Sequence, residues 1–382
     1  MAKFILYLPY SEFIDKYIHK ALGAIPIGFR DIGFDSQIIV GKMESDEYRH
    51  LDIKIHETNN LDSKYVVTDN RKMHIVPRLL NFLNFNELIA VFKILREEKP
   101  DIIIAFNNST LTGPIMIIYT LYCKIFKIKS RRILKLDNDG SELLHMKKLR
   151  KKLIYLYYVS LSFVFQRIIT ETTCGYQIFS DIPRIKNRLR VVPNSVSNDF
   201  LKRYDEVNKQ KNIITVSRIT PDKGLDVLIQ AFASIVKTNP NWILEIIGEV
   251  SDPGYYKELL QLIDEMGISE RVKFPGLLTT KQLIDKYRAS SIFCLASRHE
   301  SFAISRLEAI SLGMYVITTT AGCAKDFNEY GAHIVPIEDI KAMERALRDG
   351  VKFIEYGKPN TTNNKKIPSY SDLASLIYDV NF

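Results

Sequence analysis

Short apolar, β-branched runs alternate with helical stretches along the whole chain, and this pattern restricts it to an α/β fold built on parallel sheets. Phe4 to Leu8 reads as a first buried strand, and Gln37 to Val40, after the turn-prone Gly33-Phe34-Asp35, as a second, with a helical segment between them. Glu87 to Lys99 has apolar residues at helical spacing, stops at Pro100 and leads into the apolar run Asp101 to Ala105. The alternation continues through Arg132 to Leu136, a long helix, Arg167 to Glu171 and Leu189 to Pro193.

A second series begins after Asn198 to Lys211, a polar, charged stretch with the character of an interdomain connection. Its strands are read at Asn212 to Val216, Leu244 to Gly248, Val272 to Phe274, Ile292 to Leu295 and Tyr315 to Thr318. Lys358 to Pro368 is polar and precedes a last amphipathic segment, Tyr370 to Tyr378. With 382 residues the chain exceeds the ~100–200 of an ordinary domain. The expected division is residues 1–197, with the helix in 368–382 packing back on them, and residues 198–367.

An apolar fraction of 46% beside 25% charged residues excludes a disordered or collagen-like chain. No run reaches the ~18 apolar residues of a bilayer-spanning helix; Leu153 to Phe165 comes nearest. Met1 to Tyr10 lacks a long apolar region and a cleavage site, so a cytoplasmic location is expected. Cys123, Cys174, Cys294 and Cys323 form no CxxC pair and are expected to be buried apolar fillers. The seven histidines form no HExxH-like cluster, so no metal cofactor is expected.

The net charge of +9 is clustered in the first half. Lys147, Lys148, Arg150, Lys151 and Lys152 fall within six residues, and Lys124, Lys127, Lys129, Arg131 and Arg132 within nine. Followed by Leu153-Ile154-Tyr155-Leu156-Tyr157-Tyr158, the first run suits either an anionic lipid surface or a solvated helix end before a buried helix.

Two constellations carry chemistry. Ser217-Arg218-Ile219-Thr220-Pro221-Asp222-Lys223-Gly224 stands between a buried strand and the helical run Leu225 to Val236. Ligands of open α/β sheets bind beyond the carboxyl ends of strands, where helix N-termini present free N–H groups, so Arg218 and Lys223 are placed for a diphosphate. They also suit an ordinary charged βα loop. Arg298-His299-Glu300-Ser301-Phe302-Ala303-Ile304-Ser305-Arg306-Leu307-Glu308-Ala309 follows another strand, with two carboxylates eight positions apart. A helix starting near Phe302 would put Glu308 almost two turns in and Glu300 in the loop, at opposite ends of one extended ligand, or leave them a capping acid and a plain helix residue. As paired glycosidase carboxylates they fit poorly, because those act from opposite sides of a sugar.

These segments resemble the retaining glycosyltransferases of the GT-B fold, family GT4. The family's R…KG element appears as Arg218…Lys223-Gly224, its E-x7-E element as Glu300…Glu308 followed by Ala309 and Gly313, and its VPNGV link as Val192-Pro193-Asn194-Ser195-Val196, with Ser195 in place of Gly. The resemblance implies two Rossmann-like, doubly wound domains facing across a cleft, with a nucleotide-sugar donor, such as a UDP-sugar or GDP-mannose, on the second. Arg218 and Lys223 would then hold the diphosphate and stabilise the leaving group, Glu308 the ribose, and Glu300 the transferred sugar. The Ser301 and Phe302 amides, with the neighbouring His299, would face the phosphate and sugar, and Gly248 and Leu278 the base. Leu278 equally suits plain core. On the first domain, Asp137-Asn138-Asp139-Gly140 stands where the family carries His-Asp, so Asp137 or Asp139 would face the acceptor or the anomeric carbon; a simple turn is the other reading. The family's early Gly-Gly loop is not evident near Pro9-Tyr10-Ser11.

The expected activity is retaining transfer of a sugar to a hydroxyl, the acceptor being a lipid-linked glycan or other cell-envelope glycoconjugate, with the enzyme peripheral on the inner membrane face. The rivals are a nucleotide-sugar-binding homologue without transfer, a nicotinamide-dependent oxidoreductase and a nucleic-acid-binding module. No GxGxxG follows the first strand, and charge alone supports nucleic-acid binding, so neither of the last two is expected.

Overall fold

A computed structural model describes residues 1–9, 12–59, 85–106, 112–137, 140–144, 146–205, 207–357 and 366–379. It divides into one unit of residues 1–197 with 368–382 and a second of residues 198–367.

The first unit holds a seven-stranded sheet. Its strands are β1 (Lys3–Tyr7), β2 (Asp35–Val40), β3 (Lys54–Glu57), β4 (Ile102–Phe106), β5 (Arg131–Lys135), β6 (Arg167–Thr170) and β7 (Leu189–Val191). They lie in the order β3-β2-β1-β4-β5-β6-β7, every pair parallel. The continuous apolar runs follow from burial on both faces. Phe4, Leu6, Ile38, Ile104 and Ile133 pack under α1 (Ala21–Asp31), while Ile5, Tyr7, Ile39, Ile103 and Leu134 face α2 (Phe85–Glu98), α3 (Thr112–Ile125) and α4 (Lys148–Leu161). The short α5 (Thr173–Ser180) follows β6.

The second unit repeats the plan with β8 (Gln210–Val216), β9 (Ile243–Ile247), β10 (Val272–Gly276), β11 (Ser290–Leu295), β12 (Tyr315–Thr319) and β13 (His333–Val335), ordered β10-β9-β8-β11-β12-β13 and all parallel. Its helices are α6 (Leu225–Thr238), α7 (Pro253–Glu265), α8 (Thr280–Ala289), α9 (Ile304–Ser311) and α10 (Ile340–Tyr356). The last helix, α11 (Tyr370–Tyr378), returns to the first unit and lies on α1, where Gly28 permits the approach: a Cβ there would sit 2.1 Å from the Tyr370 carbonyl oxygen.

Several details differ from the sequence reading. β3 and β13 were not anticipated, because their KIHE and HIV segments are short and mixed in polarity. The stretch read as an interdomain connection carries a helical turn, Asn198–Leu201, whose buried Phe200 meets Tyr287 edge-on at 5.9 Å. Cys123 and Cys294 are buried free thiols and Cys323 is buried, but Cys174 is only half-buried. No helix of the described residues is long and apolar enough to cross a membrane.

Candidate active site in the second unit

In the second sheet the strand order reverses between β8 and β11, and a doubly wound sheet opens a crevice beyond the carboxyl ends of such a pair. The loops that leave β8 and β11 there are bound to each other. The Arg298 N–H donates to the Asp222 carbonyl at 2.8 Å. Gly224, in the left-handed region at φ +59°, lets its backbone pass so close that a Cβ would lie 2.2 Å from the Ala296 carbonyl oxygen. The loop after β9 joins them through the Ser217 N–H to Ile247 oxygen bond at 3.0 Å, and Gly248 has no room for a side chain: its Cβ would stand 1.9 Å from the Ser217 oxygen.

The charged residues of both constellations meet at this point. Lys223, ending a one-turn helix Pro221–Lys223, donates from Nζ to Glu300 Oε1 at 2.9 Å and lies 3.3 Å from Asp222. Ser297 Oγ donates to the same Glu300 oxygen at 2.7 Å. Burial works to raise the Asp222 carboxyl, but a hydrogen bond from Thr220 and the Lys223 and Arg218 cations outweigh it and hold the pKa below the ordinary range. Arg218 is exposed, and no hydrogen bond within the described residues holds its guanidinium. His299 is also exposed, its N–H directed at the Asp222 oxygen at 3.4 Å. An exposed guanidinium and a lysine shared between carboxylates are what a diphosphate would engage.

Glu308 is less simply placed. Helix α9 begins two residues after Phe302. Ala303 takes a left-handed conformation, φ +59°, and the helix starts at Ile304, so Glu308 sits little more than one turn in. Phe302 is buried and packs on Phe327, with Ser301 half-exposed beside it. The Glu308 carboxyl accepts from Tyr287 Oη at 3.0 Å, and burial pushes its pKa up to about 7 against that hydrogen bond. An acid that holds its proton more tightly when folded favours the folded state while protonated. Stability should therefore fall as pH rises from 4.5, the ordinary value of the group, to about 7, then level off. Urea unfolding across that window should show the decline in the wild type and a flatter profile in Glu308→Gln.

Gly248 and the loop bearing Leu278 are neighbours through the Gly248 N–H to Gly276 oxygen bond at 3.0 Å; Leu278 is half-buried rather than core. Two residues without a role in the sequence reading turn out to build the site. Arg298 grips Asp226 through both terminal nitrogens, at 2.9 and 2.7 Å, and Glu338 at 2.7 Å, pinning the Lys223 turn to the β11 loop. Arg306, wholly buried, donates to the carbonyls of Phe302, Ala321 and Gly322 and so fixes the backbone on either side of Glu300. Among the described residues no group of three or more His, Cys, Asp or Glu is arranged to hold a metal ion.

Asp137 belongs to the first unit, just beyond β5, and Asp139 lies outside the described residues. Asp137 is exposed, yet desolvation by surrounding protein and then the Glu171 carboxylate push its pKa up to about 7, with Lys135 and Lys20 opposing. Lys135 and Glu171 form a buried ion pair beside it.

The chain is similar to known proteins in sequence and in fold. Residues 197–353 match the family of glycosyl transferases group 1. The chain is 29% identical over 273 residues to an uncharacterized glycosyltransferase of Methanocaldococcus jannaschii, covering 68% of this chain and 65% of that one. It is 30% identical over 128 residues to mannosylfructose-phosphate synthase of Agrobacterium fabrum, 32% of this chain and 28% of the relative. A lipopolysaccharide core biosynthesis mannosyltransferase of Rhizobium meliloti is 27% identical over 132 residues, 33% of this chain and 37% of the relative. The chain thus spans less than two thirds of each of these relatives. In fold, the Anabaena protein HepE in complex with UDP superposes with a TM-score of 0.67 at 14% identity, over 98% of this chain and 94% of that one. Sucrose-phosphate synthase of Thermosynechococcus elongatus gives 0.70 at 14%, over 99% and 98%. The fold is GT-B, two Rossmann-like domains, and the glycosyl transferases group 1 match falls on the unit that holds the Lys223–Glu300 site.

Proposed function

We propose that the protein is a retaining glycosyltransferase of the GT4 type, moving a sugar from a nucleoside-diphosphate sugar to a hydroxyl of a lipid-linked glycan or related glycoconjugate. The observation that carries this reading is the Lys223–Glu300 pair at the strand-order reversal, with the exposed Arg218 guanidinium near enough to act on the neighbouring Asp222 carboxylate. In the transfer the bond from the anomeric carbon to the diphosphate breaks and a bond to the acceptor oxygen forms, with negative charge growing on the leaving diphosphate. Arg218 and Lys223 stabilise that charge in place, and charge stabilisation prearranged in this way supplies much of an enzyme's rate. Glu300, partnered by Lys223 and Ser297, holds the hydroxyls of the sugar, and Glu308 those of the ribose. The amides of Ser301 and Phe302, with His299, line the phosphates, and Gly248 and Leu278 the base. Asp137 orients the acceptor hydroxyl; at a pKa near 7 it is suited to share that hydroxyl's proton as the new bond forms. No metal enters the scheme.

UDP is the first nucleotide to test, because the Anabaena neighbour is a complex with UDP. A panel of UDP, GDP and ADP and their sugars should contain one that raises the thermal midpoint; at a hundredfold excess over its dissociation constant it adds about 2.7 kcal/mol. A response to none of them would sink the reading. A response with no release of nucleoside diphosphate in the presence of glycolipid acceptors would leave a binding protein in its place.

A further inference from the structure

The outer surface of the first unit is built against the usual rules for a solvated face. Helix α4 has only Tyr158 and Leu161 buried among its 14 residues, while Leu149, Leu153 and Leu156, spaced so as to share one side, are 74%, 60% and 58% exposed. On α3 the same pattern recurs at Ile117, Leu121 and Ile125, continued by the exposed Phe126. Both helices lie on the same face of the sheet, over one core. Scattered exposed leucines need no explanation, but two outward apolar stripes on neighbouring helices do.

The charges beside these stripes are one-sided. Neither helix contains an acidic residue. Lys148, Arg150, Lys151 and Lys152 occupy the start of α4, behind Lys147 at a cap with no side-chain hydrogen bond. A helix N-terminus carries positive partial charge, so each cation in the first turn costs stability. Such a local violation marks a surface kept for something other than folding. At the far end of α3 the basic character continues into a cavity of about 530 Å³ lined by Lys124, Lys129, Arg131 and Arg132 against a single carboxylate, Asp101.

We propose that the α3–α4 face seats the protein on a bilayer with anionic headgroups, its leucine stripes entering the interface and its cations meeting lipid phosphates. Apolar stripes flanked by cations, on helices that carry no acid, are the complement of that surface, since interfacial binding combines buried apolar area with electrostatic attraction. The proposal is independent of sugar transfer by the second unit.

The test is co-sedimentation of the full chain with phosphatidylcholine vesicles, with and without phosphatidylglycerol. The wild type should sediment with the anionic vesicles at low salt and be released at high salt. Lys148→Glu with Lys152→Glu should weaken partition on the order of tenfold or more, and Leu153→Asp with Leu156→Asp by a similar factor. All four side chains are exposed, so both variants should unfold at the wild-type midpoint and keep the nucleotide response. No sedimentation with anionic vesicles, equal sedimentation with neutral ones, or indifference to both variants would overturn the proposal. So would light scattering that finds a dimer broken by the leucine substitutions, since the stripes would then be an interface between two copies.

Discussion

Lys223→Ala is expected to abolish the nucleotide-dependent rise in thermal midpoint and to lower kcat/KM for sugar transfer by about 10²–10³, the loss typical of removing one group that stabilises developing charge. The side chain is 12% exposed and its ammonium lies between Glu300 and Asp222, so the substitution removes a cation from a crevice in which two carboxylates remain. A diphosphate entering that crevice would meet net repulsion, and Arg218 alone, held by no hydrogen bond, would not offset it. Lost stability is a competing explanation, because Glu300 would be left with Ser297 as its hydrogen-bond donor. The double variant Lys223→Ala, Glu300→Gln separates the two. It removes the orphaned carboxylate, so its midpoint should recover while turnover stays low. If the single variant retained turnover within a factor of three or so of the wild type, Lys223 would be a structural residue and the diphosphate site would lie elsewhere.

The two constellations were legible in sequence because they stand immediately after apolar strands, the one place where a parallel sheet exposes residues to a ligand. Strand order could not be read the same way, and it is strand order that puts β8 beside β11 and lets Lys223 reach Glu300 across 77 positions. The helix starts two residues beyond Phe302 for a local reason. Ala303 adopts a left-handed conformation that glycine or asparagine would have announced and alanine does not. The two short strands were missed because an edge such as β3, KIHE, is not buried on both faces and so loses the apolar run that marked the central strands.

Arg298 and Arg306 were hidden by a different effect. A charged side chain is ordinarily exposed, and nothing within its own segment says when distant backbone will enclose it. Arg306 is enclosed by the turn after β12, some fifteen residues on, and Arg298 by the start of α6, which comes earlier in the chain. Gly322 records the same crowding: a Cβ there would be 2.6 Å from the Glu300 Cβ and 3.0 Å from the Arg306 guanidinium. The glycine, the arginine and the glutamate therefore form one packed unit, and the site's geometry depends on residues that touch no ligand.

That dependence makes Arg306→Met the second large effect. The guanidinium donates to Phe302 oxygen at 2.6 Å, Ala321 oxygen at 3.0 Å, Gly322 oxygen at 3.1 Å and Thr318 Oγ1 at 3.2 Å, and stacks over the Phe327 ring at 4.2 Å. Burial lowers its pKa to about 10, which still leaves it cationic at neutral pH. Methionine fills much of the volume but leaves those carbonyls without a donor, at about 1–3 kcal/mol for each that water cannot reach. A total of about 4 kcal/mol is expected, which for a unit of this size lowers the midpoint by roughly 8–16 °C. Calorimetry should show the loss in the transition assigned to residues 198–367, with the nucleotide response weakened at temperatures where the protein is still folded, because Phe302 and Gly322 flank Glu300. Arg306→Lys keeps the charge but cannot reach four acceptors in a fixed fork, so it should recover only part of the stability. A methionine variant that melts with the wild type would mean that the carbonyls find water, and that the arginine holds the Glu300 loop less firmly than its contacts imply.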